Sequence, residues 1–511
     1  MANEVVLRVE RIPIAFGPAR HLLDLFGIAD SDTVPDRVAT TVLHRFDHDA
    51  DSETASLTDA ASIEGQIRYQ LMERVDRTFA AFADLLDQHI HRPTTIRLSG
   101  AQHLDEGTRR LFNRISCMCE HVTVSFEPGR PHGPRRVLTA DEHRVLTVLA
   151  ADTMSDEDVR WLIGRAQRYL HVGDAWTATA LLAPLARDHS CPALHQVMAI
   201  SNVMLGYPER SERHYEAWAA TGTPIDAARA RYGQAMLYAR HHPPHLRDDA
   251  KAAALLDRAL DDLEEVAPSL SEEVEFDRIF NRNGYALLQF RAGRTEEASA
   301  FIEEALAKLS TTSERNRLHR SVLMYNRAQV RRRTGNEPAA IEDYLALLDV
   351  DPHMPEYHME LALCHIGIGN WEEAARQLDH ARSLDPYIPE GHSLRARVAD
   401  HMGETREAIE LHREAWRVAP DRIDLAYGYA YALSEAGDWA TVISLLQEFD
   451  PHELPGDVRA DVSSALAEAL VNLGRANEAV ELLTEAVELT PGSEDLRENL
   501  IMVEQVALPH A

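Results

Sequence analysis

The chain has 511 residues, of which 45% are hydrophobic and 26% charged, and this composition predicts a folded, soluble protein. Its formal net charge of −31 argues against nucleic acid as the main partner, because a polyanion would be repelled. No run of about 18 apolar residues occurs, and Met1 is not followed by a basic, apolar leader. We therefore expect no membrane span and a cytoplasmic location.

Signals for metal binding and catalysis are weak. Cys117 and Cys119 have no second pair at zinc-finger spacing, and Cys191 and Cys364 stand alone. The sequence also lacks the Gly-x-Ser-x-Gly elbow of hydrolases and the Gly-x-Gly-x-x-Gly dinucleotide motif. We expect no cofactor, no metal and no catalytic residues.

Residues 1–127 predict a small α/β domain, because strand-like and helix-like segments alternate along them. The predicted elements are strand Glu4–Glu10, helix Pro18–Phe26, a polar loop at Asp47–Ser56, helix Ser62–His89, strand Thr94–Leu98, helix Asp105–Cys119 and strand His121–Phe126. Strands separated by helices predict a small parallel sheet.

The segment Thr95–Thr108 resembles the Walker B strand and following loop of signal-transduction ATPases with numerous domains. Four residues match that loop: Ala101, Leu104, Asp105 and Glu106. Ser99 and Gly100 stand where the family has two acids that position magnesium and the attacking water. No phosphate-binding Gly-x-x-x-x-Gly-Lys-Ser/Thr motif precedes the segment. The resemblance implies a decayed half-domain without nucleotide chemistry, and the alternative is an unrelated α/β domain with a chance match.

Residues 128–156 predict a linker and a lead-in helix. Pro128–Arg136 is rich in proline, glycine and arginine, which favours a solvated linker. The apolar residues of Leu138–Ala150 predict the first helix of the part that follows.

Residues 321–422 repeat every 34 residues. Gly335, Gly369 and Gly403 share this interval, and each is preceded by alanine at seven residues and followed by alanine at five and proline at seventeen. A small residue on each of two helices permits close packing, while glycine forms the turn between them. A period of 34 residues with such spacing predicts an array of helix–turn–helix units.

These residues resemble the tetratricopeptide repeat family. In looser form the match extends over residues 157–493, which gives about nine units, and residues 494–511 predict a capping helix and tail. The resemblance implies a mainly α fold, a right-handed α-solenoid preceded by the α/β domain. His241–His245 interrupts one unit, which favours a loop insertion over a metal or acidic-ligand site.

The family resemblance implies that the first helices of the units line a concave surface. Asparagine, tyrosine and arginine side chains there suit an extended peptide, and arginine could clamp a carboxylate. The residues expected on this surface are Asn283, Leu287, Arg291, Tyr325, Asn326, Gln329, Arg332, Arg333, Glu356, Met359, Arg397, Tyr427 and Tyr431. The inward lysines of a full family clamp are absent, so the alternative is a merely solvated groove.

The sequence leaves three functional hypotheses. The first is a non-catalytic scaffold that binds a protein or peptide partner in the concave groove, and its terminal repeats could also pair two copies into a homodimer. The second is a regulatory sensor derived from a signal-transduction ATPase. The third is an enzyme with an unrecognised site in the N-terminal domain, for which the clustered candidates are His89, His91, His103 and Asp105.

Overall fold

The computed structural model describes residues 3–46, 56–57, 71–151, 153–266, 270–309 and 314–507. The chain divides into two compact units, Met1–Cys364 and His365–Ala511. Most of the predicted loop Asp47–Ser56 lies outside the described residues. So do the first turns of the helix predicted at Ser62–His89, including Ile67.

The N-terminal part forms a parallel sheet of three strands, which confirms the predicted α/β character. The strands pair in the order β1-β2-β3, with Leu7 beside Leu98 and Leu98 beside Phe126. The elements are β1 Asn3–Arg8, α1 Gly17–Phe26, α2 Asp36–Thr41, α3 Leu71–Asp87, β2 Thr94–Ser99, α4 Glu106–Met118, β3 Val122–Glu127 and α5 Ala140–Leu149.

Apolar side chains at helical spacing fix α3 and α4 in this part of the chain. Phe79 and Phe82 of α3 and Phe112 of α4 are buried, as is Ile96 of the central strand. The Asp105 carboxylate caps α4 by accepting the Thr108 backbone N–H at 2.7 Å, so the helix begins where the sequence predicts.

Pairs of helices occupy the rest of the chain, as the 34-residue period predicts. In the first unit they are α6 Asp156–His171, α7 Ala175–Leu182, α8 Pro192–Met204, α9 Pro208–Thr221, α10 Pro224–Met236, α11 Asp249–Glu264, α12 Ser271–Arg291, α13 Thr295–Lys308, α14 Glu314–Arg333 and α15 Glu337–Val350. Helix α16, Pro355–Gly367, contains the division between the units. The second unit contains α17 Trp371–Leu384, α18 Pro389–Met402, α19 Thr405–Val418, α20 Ile423–Glu435, α21 Trp439–Leu446, α22 Gly456–Asn472, α23 Ala476–Leu489 and α24 Glu494–Ala507.

The repeat glycines are required by backbone conformation. Gly335, Gly369 and Gly403 have φ angles of 76°, 74° and 76°. A Cβ atom added at any of the three would meet nothing within 4 Å, so space does not select glycine there. The left-handed backbone conformation of the turn after each first helix requires glycine, because a side chain would strain that conformation.

The N-terminal sheet and helices pack directly on the first repeat. The Ala15 backbone N–H donates to Thr177 Oγ1 at 2.8 Å, and the Thr41 hydroxyl donates to the Val172 carbonyl at 2.9 Å. Phe79 and Trp176 stack with ring centroids 6.2 Å apart. Buried polar contacts of this kind fix one orientation of the sheet on the repeat.

The segment Pro128–Arg136, predicted to be a solvated linker, is largely exposed to solvent but also contacts the sheet. The His132 backbone N–H donates to Ser99 Oγ at 3.0 Å, and Pro131 lies so close to Gly100 that an added Cβ would clash at 2.7 Å. The segment folds across the carboxyl edge of the sheet because glycine and proline permit this close approach.

Candidate functional site

Three predicted inward residues of the first unit converge on one carboxylate, Glu360 of α16. It accepts hydrogen bonds from the Tyr325 hydroxyl at 3.2 Å and the Gln329 amide at 3.3 Å. Its other oxygen accepts from the Tyr344 hydroxyl at 3.4 Å and lies 3.2 Å from the Arg332 guanidinium. A ligand carboxylate would have to compete with Glu360 for Arg332.

Burial governs the titration of the groups around this carboxylate. Burial raises the pKa of the Tyr344 phenol, and the neighbouring Glu360 charge raises it further. Burial also raises the pKa of the Cys364 thiol to about 12. Both groups are therefore uncharged near neutral pH, and Tyr344 serves as a hydrogen-bond donor.

Further predicted residues of the first unit are also engaged within the chain. The Asn326 amide donates to Asn283 Oδ1 at 2.7 Å. Arg291 lies 3.4 Å from the Asp249 carboxylate, and the Arg333 guanidinium lies 5.2 Å from the centre of the Phe290 ring. Leu287 and Met359 are half-buried. Most of this surface is satisfied internally.

Helix α3 covers part of the same surface. The Arg77 guanidinium of α3 lies 2.9 Å from the Glu356 carboxylate of α16, and both side chains are about nine-tenths buried. Glu356 was expected to face a concave groove. It instead contacts the N-terminal part of the chain, which the sequence gives no means to predict.

In the second unit the predicted residues Tyr427 and Tyr431 line an open groove, which we call the C-terminal groove. Its cavity volume is about 460 Å³. That value lies within the range of about 300–1,000 Å³ found for ligand clefts. The lining residues are Tyr427, Ala430, Tyr431, Ser434, Val442, Ser464, Ala465, Ala467, Glu468, Val471, Asn472, Asn499, Met502, Val503 and Val506. They come from α20, α21, α22 and α24.

The groove presents apolar side chains to solvent. Tyr431 is 59% exposed, Met502 57% and Val506 63%, although each lines the cavity. Acidic residues such as Glu498 and Glu504 of α24 are exposed, as expected of a capping helix, but this apolar strip on the same helix was not expected. Contiguous apolar side chains exposed in a concave surface indicate a binding site, whereas apolar residues scattered singly over a surface do not.

Polar groups fix the walls of the C-terminal groove. The Asn499 amide donates to Ser464 Oγ at 2.8 Å and joins α24 to α22. Burial raises the pKa of Tyr427, and the charges of Asp461 and Glu468 raise it further. Tyr427 is therefore a neutral phenol beside two carboxylates.

Arg397, the remaining predicted residue, lies exposed on α18. It does not line the C-terminal groove.

The candidates for an N-terminal active site do not converge. His89 and His91 precede β2, whereas His103 and Asp105 follow it. A six-residue strand is about 20 Å long, so the two pairs lie at opposite ends of β2. Asp105 is occupied as the cap of α4, and burial raises its pKa.

The carboxyl edge of the sheet, where α/β proteins bind ligands, is filled by the segment that crosses it. The space left beside Arg136, His103 and Gly17 is about 20 Å³, which is room for about one water molecule. Within the described residues no group of three or more histidine, cysteine, aspartate or glutamate side chains could hold a metal ion. The resemblance to signal-transduction ATPases stays a prediction.

A search of the described helices for long, apolar segments finds none that could cross a membrane.

Sequence reasoning missed Glu360, Met502 and Val506. The repeat register could have found Glu360, because it lies 34 residues after Asn326, which was predicted to face inward. Met502 and Val506 carry no comparable signal, since apolar residues one turn apart on a helix ordinarily predict burial.

Comparison with known families identifies the repeats. A family model described as "Tetratricopeptide repeat" matches residues 355–485. Residues 355–485 are tetratricopeptide repeats. The matched segment includes α18, α20 and α22, and with them most of the C-terminal groove. The prediction of tetratricopeptide repeats is confirmed for this segment, and the predicted helical repeat fold is confirmed.

Similar proteins share only parts of the chain. A curated relative, "Photosystem I assembly protein Ycf3" of Synechococcus elongatus, is 32% identical over 98 residues, which are 19% of this chain and 57% of the relative. A solved structure described as "Functional Characterization of Pseudomonas Aeruginosa pilF" is 16% identical, with a TM-score of 0.36 over 45% of this chain and 99% of that one. A structure described as "Human IFIT1 dimer with PPP-AAAA" is 16% identical, with a TM-score of 0.46 over 88% of this chain and 97% of that one.

Proposed function

We propose that the protein is a non-catalytic interaction scaffold that binds a segment of a partner protein in the C-terminal groove. The observation that carries the proposal is the groove itself, in which Tyr431, Met502 and Val506 are each more than half exposed around one cavity. A rigid aromatic ring loses little conformational entropy on binding, so an exposed tyrosine in a cleft suits recognition of a peptide.

The central residues support this choice by contrast. Arg332, Tyr325 and Gln329 are engaged with Glu360, and a ligand there would have to replace contacts that already exist. Binding at the C-terminal groove requires no such exchange. The name of the curated relative, an assembly protein, also supports a binding role for the 98 residues that match it.

Site-directed photo-crosslinking tests the proposal. A photoreactive amino acid replaces Ser434, which lines the groove, in the full chain expressed in the cells that naturally make it. The matched control places it at Glu481, an exposed residue of α23 outside the groove. We expect a protein adduct from position 434 that is absent from position 481 and is lost when Tyr431→Ala is added.

Two results would contradict the proposal. One is an adduct that forms equally from both positions or survives Tyr431→Ala. The other is an adduct between two copies of this chain, which would make the groove a homodimer interface.

A further inference from the structure

Acidic residues dominate the end of the chain that forms the C-terminal groove. Between Ile423 and Ala511 there are three arginines and no lysine against seventeen aspartates and glutamates, a formal net charge of −14. Nearly half of the chain's net charge of −31 therefore belongs to its last 89 residues. Such a field attracts cations and repels anions.

The three arginines do not neutralise the groove, because none lines it and each is engaged elsewhere. Arg459 donates to the Pro451 carbonyl at 2.7 Å and to the Leu489 carbonyl at 3.0 Å. Arg475 pairs with Glu478 at 2.6 Å, and Arg497 donates to the carbonyl of Pro491.

Carboxylates lie at the apolar strip itself. Glu468 carries the charge among the described residues that line the groove. Asp461 lies two turns before it on the same helix, α22. Both side chains are exposed, and no ion pair is formed by either among the described residues. A ligand cation could therefore approach both without displacing an existing partner.

We infer that the occupant of the C-terminal groove is a cationic peptide segment that seats an apolar side chain against Tyr431 and Met502 and a lysine or arginine against Glu468. This inference rests on the proposed function and gives the partner its chemistry. The apolar contact supplies affinity, while the carboxylates select sequence and speed association through complementary charge. An acidic segment, or a nucleic acid, would meet a repelling field in the same cleft.

Selection from a random peptide library tests the inference with a defined probe. The full chain is the bait, and phage displaying random twelve-residue peptides are the probe. We expect the enriched peptides to combine lysine or arginine with a large apolar residue. Their affinity should fall at least tenfold when the salt concentration rises from roughly 20 to roughly 500 mM. The Debye screening length is roughly 20 Å at the lower concentration and roughly 4 Å at the higher one.

Three variants then locate the contacts. Tyr431→Ala should weaken the selected peptides at least tenfold, and so should Asp461→Lys combined with Glu468→Lys. The control, Glu481→Lys combined with Glu488→Lys, makes the same change of charge on exposed residues of α23 outside the groove and should change affinity less than twofold. Circular dichroism verifies that each variant is folded.

The outcomes separate the inference from the proposed function. If Tyr431→Ala abolishes binding but charge reversal at Asp461 and Glu468 does not, the groove binds peptides and the inferred cationic chemistry is wrong. Selection of acidic or uncharged peptides would also overturn the inference. If neither Tyr431→Ala nor charge reversal matters, or if no peptide is enriched, both the site and its chemistry are wrong.

Discussion

The first-helix surfaces of the two units carry similar residue types. In the first unit these side chains contact one another, whereas in the second unit they are exposed to solvent. Around Glu360 in the first unit, tyrosine, glutamine and arginine side chains satisfy one another. Around Tyr431 in the second unit, tyrosine, methionine and valine side chains are left open to solvent. A tyrosine on a first helix therefore does not by itself indicate a binding site, since its polar partners decide whether it is available.

The difference arises from what each surface meets. In the first unit, α3 of the N-terminal part contributes Arg77 to the surface, and α16 contributes Glu360. In the second unit, the last helix α24 places apolar residues at the cavity and no cation. The first surface gains stability from its contacts, whereas the second retains the capacity to bind.

The largest expected effect comes from breaking the contact between α3 and α16. Arg77→Ala leaves the Glu356 carboxylate buried without its cation, and removing one partner of a buried pair costs about 4 kcal/mol of unfolding free energy. Urea unfolding followed by circular dichroism measures this cost. The comparison is Arg413→Ala, whose pair with Glu410 is exposed on both sides and should cost less than about 0.5 kcal/mol. Equal costs would mean that the contact of α3 contributes nothing.

Acid should weaken the first unit through Glu142. Burial alone would raise its pKa, but the hydrogen bond from Arg136 and the charge of Arg20 lower it from 4.5 to about 2. Because the folded pKa lies below the unfolded value, this stabilisation is present above pH 4.5 and is lost as pH falls toward 2. The loss should be about 3 kcal/mol, and Glu142→Gln should lack this part of the pH dependence.

Urea unfolding of both proteins between pH 2 and pH 6 measures the Glu142 effect. A pH profile that is the same for Glu142→Gln and the native chain would contradict it.

Removal of the Glu360 charge should have a smaller effect. Glu360→Leu removes the carboxylate that Arg332, Tyr325 and Tyr344 contact, which should cost about 2 kcal/mol. The corresponding change in the groove, Glu468→Leu, removes an exposed carboxylate and should cost less than about 0.5 kcal/mol. Urea unfolding of the two variants measures both losses. Equal urea midpoints would contradict the expected difference in unfolding free energy.

The smallest effect on stability is expected from the apolar strip. Met502→Ser and Val506→Ser change side chains that are already more than half exposed, so each should alter the unfolding free energy by less than about 0.5 kcal/mol. Thermal unfolding measures this directly. A loss of several kcal/mol would mean that the strip is packed inside the protein and is not a free surface.

Local patterns in the sequence predicted much of the fold. The three strands and the intervening helix α4 follow from alternating and helical patterns, and the turn glycines follow from the 34-residue interval. The contact between Arg77 and Glu356 joins residues far apart in the chain, and no periodicity reports such a pairing.

The site was predictable only in part. Tyr427 and Tyr431 follow from the repeat register, but their availability depends on α24, whose contacts no single repeat encodes. The same register placed Arg332 on the first-helix surface, yet it could not show that Glu360 neutralises that arginine.

The most direct test of the account compares two tyrosines on first helices, Tyr431 in the C-terminal groove and Tyr325 beside Glu360. Peptides selected by the intact chain are titrated against Tyr431→Ala and Tyr325→Ala, with circular dichroism as the check on folding. The account predicts that Tyr431→Ala weakens binding at least tenfold, whereas Tyr325→Ala changes it less than twofold. The opposite result, loss of binding with Tyr325→Ala alone, would place the site on the surface around Glu360 and contradict the account.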